Sequence, residues 1–350
     1  MTADILDIAL ASIPFLTARE KICLKKNLDS IEELAVLSIE AISQKVGRVI
    51  RRAVWDPAVT RAQAERAVLL MEQQHIGTVL LTDAAFPALL REIPDPPYAL
   101  FYRGRLEALH RQCVSVVGTR RVCGECAAAA QDFAREAVLD GLTVVSGNAE
   151  GIDFFAHRGA LLAAESNTGA CGTGGAPGAT AAVLPCGIDT IVPVGHKALA
   201  ARILRSGGVI VAEYIPGCPA EAWRFVQRNR IIAALSPATV VVQAPPGSGA
   251  LITADFAVGY SRDVLFHKSC FCAEAAQSAQ AAKKRLEAKA ASSRPGSAAA
   301  ASAAAKLRNS PERYVADGAP VIASYAEYRA ALAAAPGGNP AAGGGQGLLF

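Results

Sequence analysis

Six short, almost continuously apolar runs constrain this chain more than any other feature: Val114–Val117, Leu142–Val145, Ala181–Leu184, Val209–Val211, Thr239–Val242 and Val264–Phe266. A strand that is apolar on both faces must be covered on both, as in a parallel sheet held between two layers of helices. Helical patterns such as Ala127–Asp140 and Ala198–Arg205 separate the runs, and Ile252–Tyr260 precedes the sixth. The alternation predicts an α/β fold over residues 113–271, a doubly wound and mostly parallel sheet of about six strands.

The flanks read differently. Residues 1–75 carry apolar positions at helical spacing (Ile31, Leu34, Leu37, Ile39, Ile42; Ala64, Ala67, Val68, Met71), with starts at Ser30 followed by Glu33 and at Asp56-Pro57. They predict a small N-terminal helical domain. Residues 76–112 form a bridging segment, with the run Val79–Leu81, the turn-rich Ile93–Pro97 and an extended Ala99–Tyr102 ending at Gly104. A Gly-, Ala- and Thr-rich stretch at 165–180 reads as a surface loop. Its Gly172-Thr173-Gly174-Gly175 precedes a strand instead of following one, so it reads as an insertion and not a phosphate loop. In 273–305, 16 of 33 residues are Ala and Leu286 is the only large aliphatic side chain, so 272–309 is expected to be a disordered linker. Pattern returns over 310–332, a closing segment of the core, and 333–350 reads as a disordered tail.

Composition excludes some classes. Of the 350 residues 52% are hydrophobic, yet no run approaches the roughly 18 to 20 residues of a membrane span. The first residues hold Asp4 and Asp7 and no basic region, so a cytoplasmic protein with reduced thiols is expected. The formal charge is +4, but Lys/Arg and Asp/Glu balance 14 to 14 over residues 1–112 and 12 to 12 over 113–271, leaving 9 against 5 in 272–350. Any anion site in the core must therefore come from local placement of basic groups and backbone N–H donors.

Ligands of open α/β sheets bind beyond the carboxyl ends of the strands. There the sequence places Gly118-Thr119-Arg120-Arg121, then Ser146-Gly147-Asn148-Ala149-Glu150-Gly151-Ile152-Asp153, then Pro185-Cys186-Gly187, then Glu213-Tyr214, and Pro246-Gly247-Ser248-Gly249. The three-glycine dinucleotide fingerprint is absent. The strongest local cluster is Trp223–Ile232, with Arg224, Phe225, Arg228, Asn229 and Arg230 and no acid between Ala222 and Leu235. Arginine forks suit phosphate oxygens and aromatic rings suit unpaired bases. Some of these arginines could instead pair with Asp153 or Glu213, and Phe225 could be core. Arg158 and Lys197 are candidate rim contacts. Asp153 and His157 stand at i, i+4 spacing and suggest a structural pair, with no nucleophile of known pattern beside them. Cys123-x-x-Cys126 has redox or half-zinc spacing, but no second pair at a suitable distance completes a zinc site, so no metal and no cofactor are expected.

Eight ordered motifs carry a family resemblance. They are Phe86-Pro87-x-x-Leu90 with Ile93–Pro97; Gly104; Val114-x-Val116-Val117-Gly118-Thr119-Arg120; Val145-Ser146-Gly147 through Gly151-Ile152-Asp153-x-x-Ala156-His157; and Leu184-Pro185-Cys186-Gly187-Ile188-Asp189. After these come Glu213-Tyr214-x-Pro216-Gly217, Phe225-x-x-Arg228-Asn229-Arg230 with Ile231 and Ile232, and Ser248-Gly249-x-Leu251-Ile252-Thr253-Ala254. In order and spacing they resemble the DNA-processing protein A family over about 79–268, and 310–332 looks like that family's closing segment.

The resemblance implies a Rossmann-like core that binds single-stranded DNA without catalysis, dimerises, and hands the strand to a RecA-type recombinase in natural transformation or related recombination. It implies DNA contacts at Arg120 and in the segment containing Phe225 and Arg228-Asn229-Arg230. It departs from the family at Glu150, where an arginine is usual, at the 165–180 insertion, and at His196-Lys197. An alternative is a phosphoribohydrolase-like enzyme using the same glycine-lined crevice. Such enzymes carry a glutamate after a Pro-Gly-Gly-x-Gly-Thr turn, and none follows Pro246-Gly247-Ser248-Gly249 here.

Overall fold

The computed structural model describes residues 4–334 except 52, 167–178 and 295. The Gly172–Gly175 run and residues 335–350 of the expected tail thus lie outside the described residues. Five helices open the chain: α1 (Ile5–Ser12), α2 (Ala18–Lys25), α3 (Ile31–Ala35), α4 (Ile39–Val46) and α5 (Pro57–Gln74). Their starts follow the capping residues legible in the sequence: Ser30 Oγ accepts from Glu33 N at 3.2 Å, and Asp56 Oδ1 from Val59 N at 3.1 Å with Pro57 in the first turn. The bridging segment supplies β1 (Gly77–Leu80), α6 (Ala88–Arg91) and β2 (Ala99–Gly104).

The central alternation then runs β3 (Cys113–Gly118), α7 (Gly124–Leu139), β4 (Thr143–Ser146), α8 (Ile152–Ser166), β5 (Ala179–Leu184), α9 (Lys197–Arg205), β6 (Val209–Ala212), α10 (Ala222–Ala234), β7 (Ala238–Gln243), α11 (Gly249–Gly259) and β8 (Asp263–His267). After them come α12 (Ala273–Ser292), α13 (Ala298–Arg308), α14 (Pro311–Ala316), β9 (Val321–Ile322) and α15 (Tyr325–Ala334). The sheet order is β1-β2-β6-β5-β4-β3-β7-β8-β9, nine strands where the apolar runs predict about six. Antiparallel β2 attaches β1 to one edge, and two-residue β9 pairs in parallel with β8 at the other. The remaining neighbours are parallel and completely buried along β4, β5, β6 and β7, as their apolar composition requires.

Two expectations change. The N-terminal helices do not enclose a core of their own: Leu6, Leu10, Leu24 and Ala67 join Phe101, Leu184 and Ile210 of the sheet and Ile203 of α9 in one apolar cluster. Buried Asp7 is tied there by Tyr98, whose hydroxyl donates to it at 2.7 Å. The Ala-rich stretch is not a disordered linker over its described residues but the helix pair α12 and α13. Low burial argues against a packed core, yet Ala has the highest intrinsic helix propensity, and capping by Cys272 and Ser297 starts each helix. Within 310–332, Tyr325 and Tyr328 of α15 pack edge-on against Phe133 of α7, at 5.6 and 5.4 Å between ring centres.

Candidate nucleic-acid interface

From β3 the chain winds outward through β4, β5 and β6, then crosses back to lay β7 on the other side of β3. The carboxyl ends of β3 and β7 therefore flank the switch point where such sheets bind ligands. Thr119 N donates to Gln243 O at 2.7 Å, joining the two ends. Helix α10 lies across this edge, and its sequence divides into an inward and an outward face.

The inward face holds the helix to the strand ends. Arg228, 4% exposed, donates through Nη1 to the carbonyls of Gly147 after β4 and Val183 in β5. Opposite it, the Asp153 carboxylate accepts from Gly147 N at 3.1 Å and Ala149 N at 3.3 Å. Burial lowers Arg228 to about 10, so it stays charged at neutral pH, and burial pushes Asp153 up against the opposing pull of Arg228. Only glycine fits at 147, because a Cβ there would lie 2.5 Å from Arg228 Nη1. Asn229 Nδ2 donates to Gly249 O at 3.2 Å, tying α10 to the first turn of α11. Arg230, 5% exposed, grips both Glu213 oxygens at 2.7 and 2.6 Å and reaches Asp95 at 3.4 Å. Both Arg228 and Arg230 therefore face acids, where the sequence left open which of them would; neither offers its guanidinium to solvent.

The outward face is different in kind. Trp223 is 51% and Val226 43% exposed, and Phe225 is half-buried beside them. Arg120, exposed in the turn after β3, sets its guanidinium carbon 5.3 Å from the centre of the Phe225 ring. Arg224 lies over Tyr214 at 5.0 Å and Trp223 at 4.9 Å, and also reaches Glu221 at 3.6 Å. Two cation–ring groups thus make up a basic and aromatic strip, Arg120 with Phe225 and Arg224 with Trp223 and Tyr214. The sequence marks Trp223 as one of the two aromatics of the cluster and Tyr214 only as a residue after a strand; their stacking on Arg224 is what spacing does not reveal.

The remaining candidates sort around this strip. Gly118 closes β3, and exposed Arg121 donates its backbone N–H to Thr119 Oγ1 at 3.3 Å. Gly151, at φ +79°, is needed where a Cβ would stand 2.2 Å from Thr119 O and 2.6 Å from Arg120 O, so exposed Glu150 sits directly beside the Arg120 turn. Ser248 Oγ caps α11 by accepting from Ala250 N at 3.2 Å, and Gly249 opens that helix. Arg158 on α8 and Lys197 at the start of α9 are exposed, and among the described residues no contact joins either to the strip. A cation of the expected linker also comes near: a Cβ at Gly247 would meet Lys306 of α13 at 3.6 Å and Leu286 of α12 at 3.4 Å.

Asp153 and His157 do not pair. Asp153 accepts from the Gly147 and Ala149 backbone, whereas buried His157 bonds Thr180 Oγ1 through Nδ1 at 2.7 Å. Because the Thr180 hydroxyl proton goes to Val144 O at 2.8 Å, His157 Nδ1 is the donor, and its Nε2 faces the interior without a partner. Burial drops this imidazole to about 3.

The description "DNA recombination-mediator protein A" belongs to the family model that matches residues 77–300. Protein Smf of Synechocystis sp. is 40% identical over 204 residues, 56% of this chain and 47% of that protein. Protein Smf of Borreliella burgdorferi is 28% identical over 265 residues, 76% of this chain and 79% of that one. The X-ray structure of DNA processing protein A (DprA) from Streptococcus pneumoniae matches with a TM-score of 0.63 at 26% identity, covering 94% of this chain and 98% of that chain. The chain spans less than half of the Synechocystis relative. The family match takes in every strand end that frames the crevice and well over half of the sequence, so the chain belongs to the DNA recombination-mediator protein A family.

Proposed function

We propose that this protein binds single-stranded DNA along the outward strip of α10 and the Arg120 turn, protects it, and hands it to a RecA-type recombinase, acting as a homodimer in natural transformation or related recombination. Family membership supports the general role in DNA processing and recombination. The observation that carries the binding reading is the Arg120–Phe225 stack, a cation held over a half-exposed ring at the switch point of the sheet. Such a pair offers a phosphate contact and a base platform together, and stacking on an aromatic ring is worth about 1–3 kcal/mol per base without regard to sequence.

Lys306 adds a cation beside Gly247, so the basic excess of the C-terminal segment acts at the crevice. Arg228, Asn229 and Arg230 serve as the frame that fixes α10, and the DNA contacts fall to Arg120, Arg121, Phe225, Trp223 and Lys306, with Arg158 and Lys197 at the rim. Nothing at the turn after β7 favours hydrolysis: Ser248 Oγ is engaged as a helix cap, and Asp255, the first acid after the turn, is held by Tyr314 at 2.6 Å and Asn309 at 2.5 Å. Fluorescence anisotropy of a labelled oligo-dT across a salt series tests the reading. Affinity that falls steeply with salt and is unchanged for a mixed-sequence strand supports it; no binding at low salt overturns it.

A further inference from the structure

Three thiols far apart in sequence meet at one point. Cys123 stands at the N-cap of α7, Cys126 lies buried in the first turn of the same helix, and Cys272 is the N-cap of α12. Their sulfurs all lie within 4.8 Å of one another, with Cys123 Sγ and Cys272 Sγ 3.7 Å apart. We propose that Cys123, Cys126 and Cys272 form a three-thiolate site for a soft divalent cation, zinc, which clamps α12 to α7.

The spacing favours a metal over a covalent link. Zinc bound to sulfur at about 2.3 Å puts tetrahedral thiolates about 3.8 Å apart, close to the separation found, whereas a disulfide needs about 2.05 Å. Cys123 and Cys272 sit at helix N-termini, where the backbone dipoles stabilise negative sulfur, and Ala275 N already points at Cys272 Sγ at 3.5 Å. Cys123 is further fixed by its backbone N–H, which donates to Gln243 Oε1 at 3.0 Å at the end of β7.

His267 is near in sequence to Cys272 but is spoken for, with Nδ1 on Ser269 at 2.8 Å and Nε2 on Ala323 O at 3.1 Å. Among the described residues no fourth Cys, His or carboxylate joins the group, so the fourth position falls to water or a small exogenous ligand. Binding replaces three S–H protons by one dication: three protons leave, the site keeps one net negative charge, and Cys126 exchanges its hydrogen bond to Ser269 O for the metal. The clamp has a structural consequence. It fixes the start of the α12–α13 pair, whose Leu286 and Lys306 close over Gly247.

The test is metal content and cobalt substitution on the full chain purified under reducing conditions. About one zinc per chain is expected. Titrated Co²⁺ should give thiolate-to-cobalt charge-transfer absorption and the intense visible bands of a tetrahedral site. Both signals should be lost in Cys123→Ser and Cys272→Ser and kept in Cys23→Ser, which changes a thiol on the distant α2. Should the serine variants unfold, alkylation footprinting of the wild type decides: zinc must protect the partly exposed Cys123 and Cys272 and leave Cys23 reactive. The proposal is overturned if excess zinc leaves Cys123 and Cys272 as reactive as before, if Cys272→Ser binds cobalt with an unchanged spectrum, or if non-reducing peptide maps show a Cys123–Cys272 disulfide in place of metal.

Discussion

Arg120 and Phe225 meet with the guanidinium carbon 5.3 Å from the ring centre, one side chain from the turn after β3 and the other from a helix added after three further strands. Their contact exists only because β7 returns the chain to the far side of β3 and α10 spans the edge between. It marks the outward face of α10, proposed to bind, off from the inward face that holds the helix, and the variants below separate the two.

Arg228→Met should destabilise the fold by about 1–3 kcal/mol, because it leaves the buried carbonyls of Gly147 and Val183 without their donor. Urea unfolding measures this. A stability within about 0.5 kcal/mol of wild type, as for ordinary surface substitutions, would show that Arg228 does not hold the helix.

The segment 222–235 was legible in the sequence as an unusual basic and aromatic stretch, but not which arginines turn inward. Composition cannot tell a buried ion pair from a phosphate contact, since both ask for Arg; the partners Glu213 and Asp153 come from distant strand ends. The parallel core was legible because burial on both faces leaves continuous apolar runs. By contrast, β1, β2 and β9 are edge elements whose pairing depends on neighbours, and α12 and α13 bury so little that only intrinsic propensity marks them.

His157 should make the fold acid-sensitive. Its pKa is about 3 when folded against 6.5 when free, so the unfolded chain takes up the proton first as pH falls. This contribution is intact above pH 6.5 and is lost on the way down to about 3, at up to about 1.4 kcal/mol per pH unit. Denaturation at pH 7, 5.5 and 4.5 should show a shallower acid loss for His157→Gln than for wild type. Equal slopes would remove His157 as a cause.

Glu150 places a negative charge beside the Arg120 turn. Glu150→Arg should tighten single-strand binding at low salt and steepen the dependence of log K on log salt by about 0.7, one further phosphate contact. An unchanged slope would mean the strand does not pass this turn.

Lys306→Ala should make the same slope shallower by about 0.7 with little change in stability, since the side chain is exposed. If binding is untouched, the α12–α13 pair stands outside the DNA path.

The most direct measurement is a double-mutant cycle on oligo-dT affinity with Arg120→Ala, Phe225→Ala and the pair, with thermal unfolding of each protein alongside. Phe225→Ala should weaken binding by about 1–3 kcal/mol, Arg120→Ala should weaken it and flatten the salt slope, and the two should be less than additive because the side chains act through one contact. All three proteins should remain folded, with the Arg228–Asp153 frame untouched. Wild-type affinity in the double variant would contradict the account.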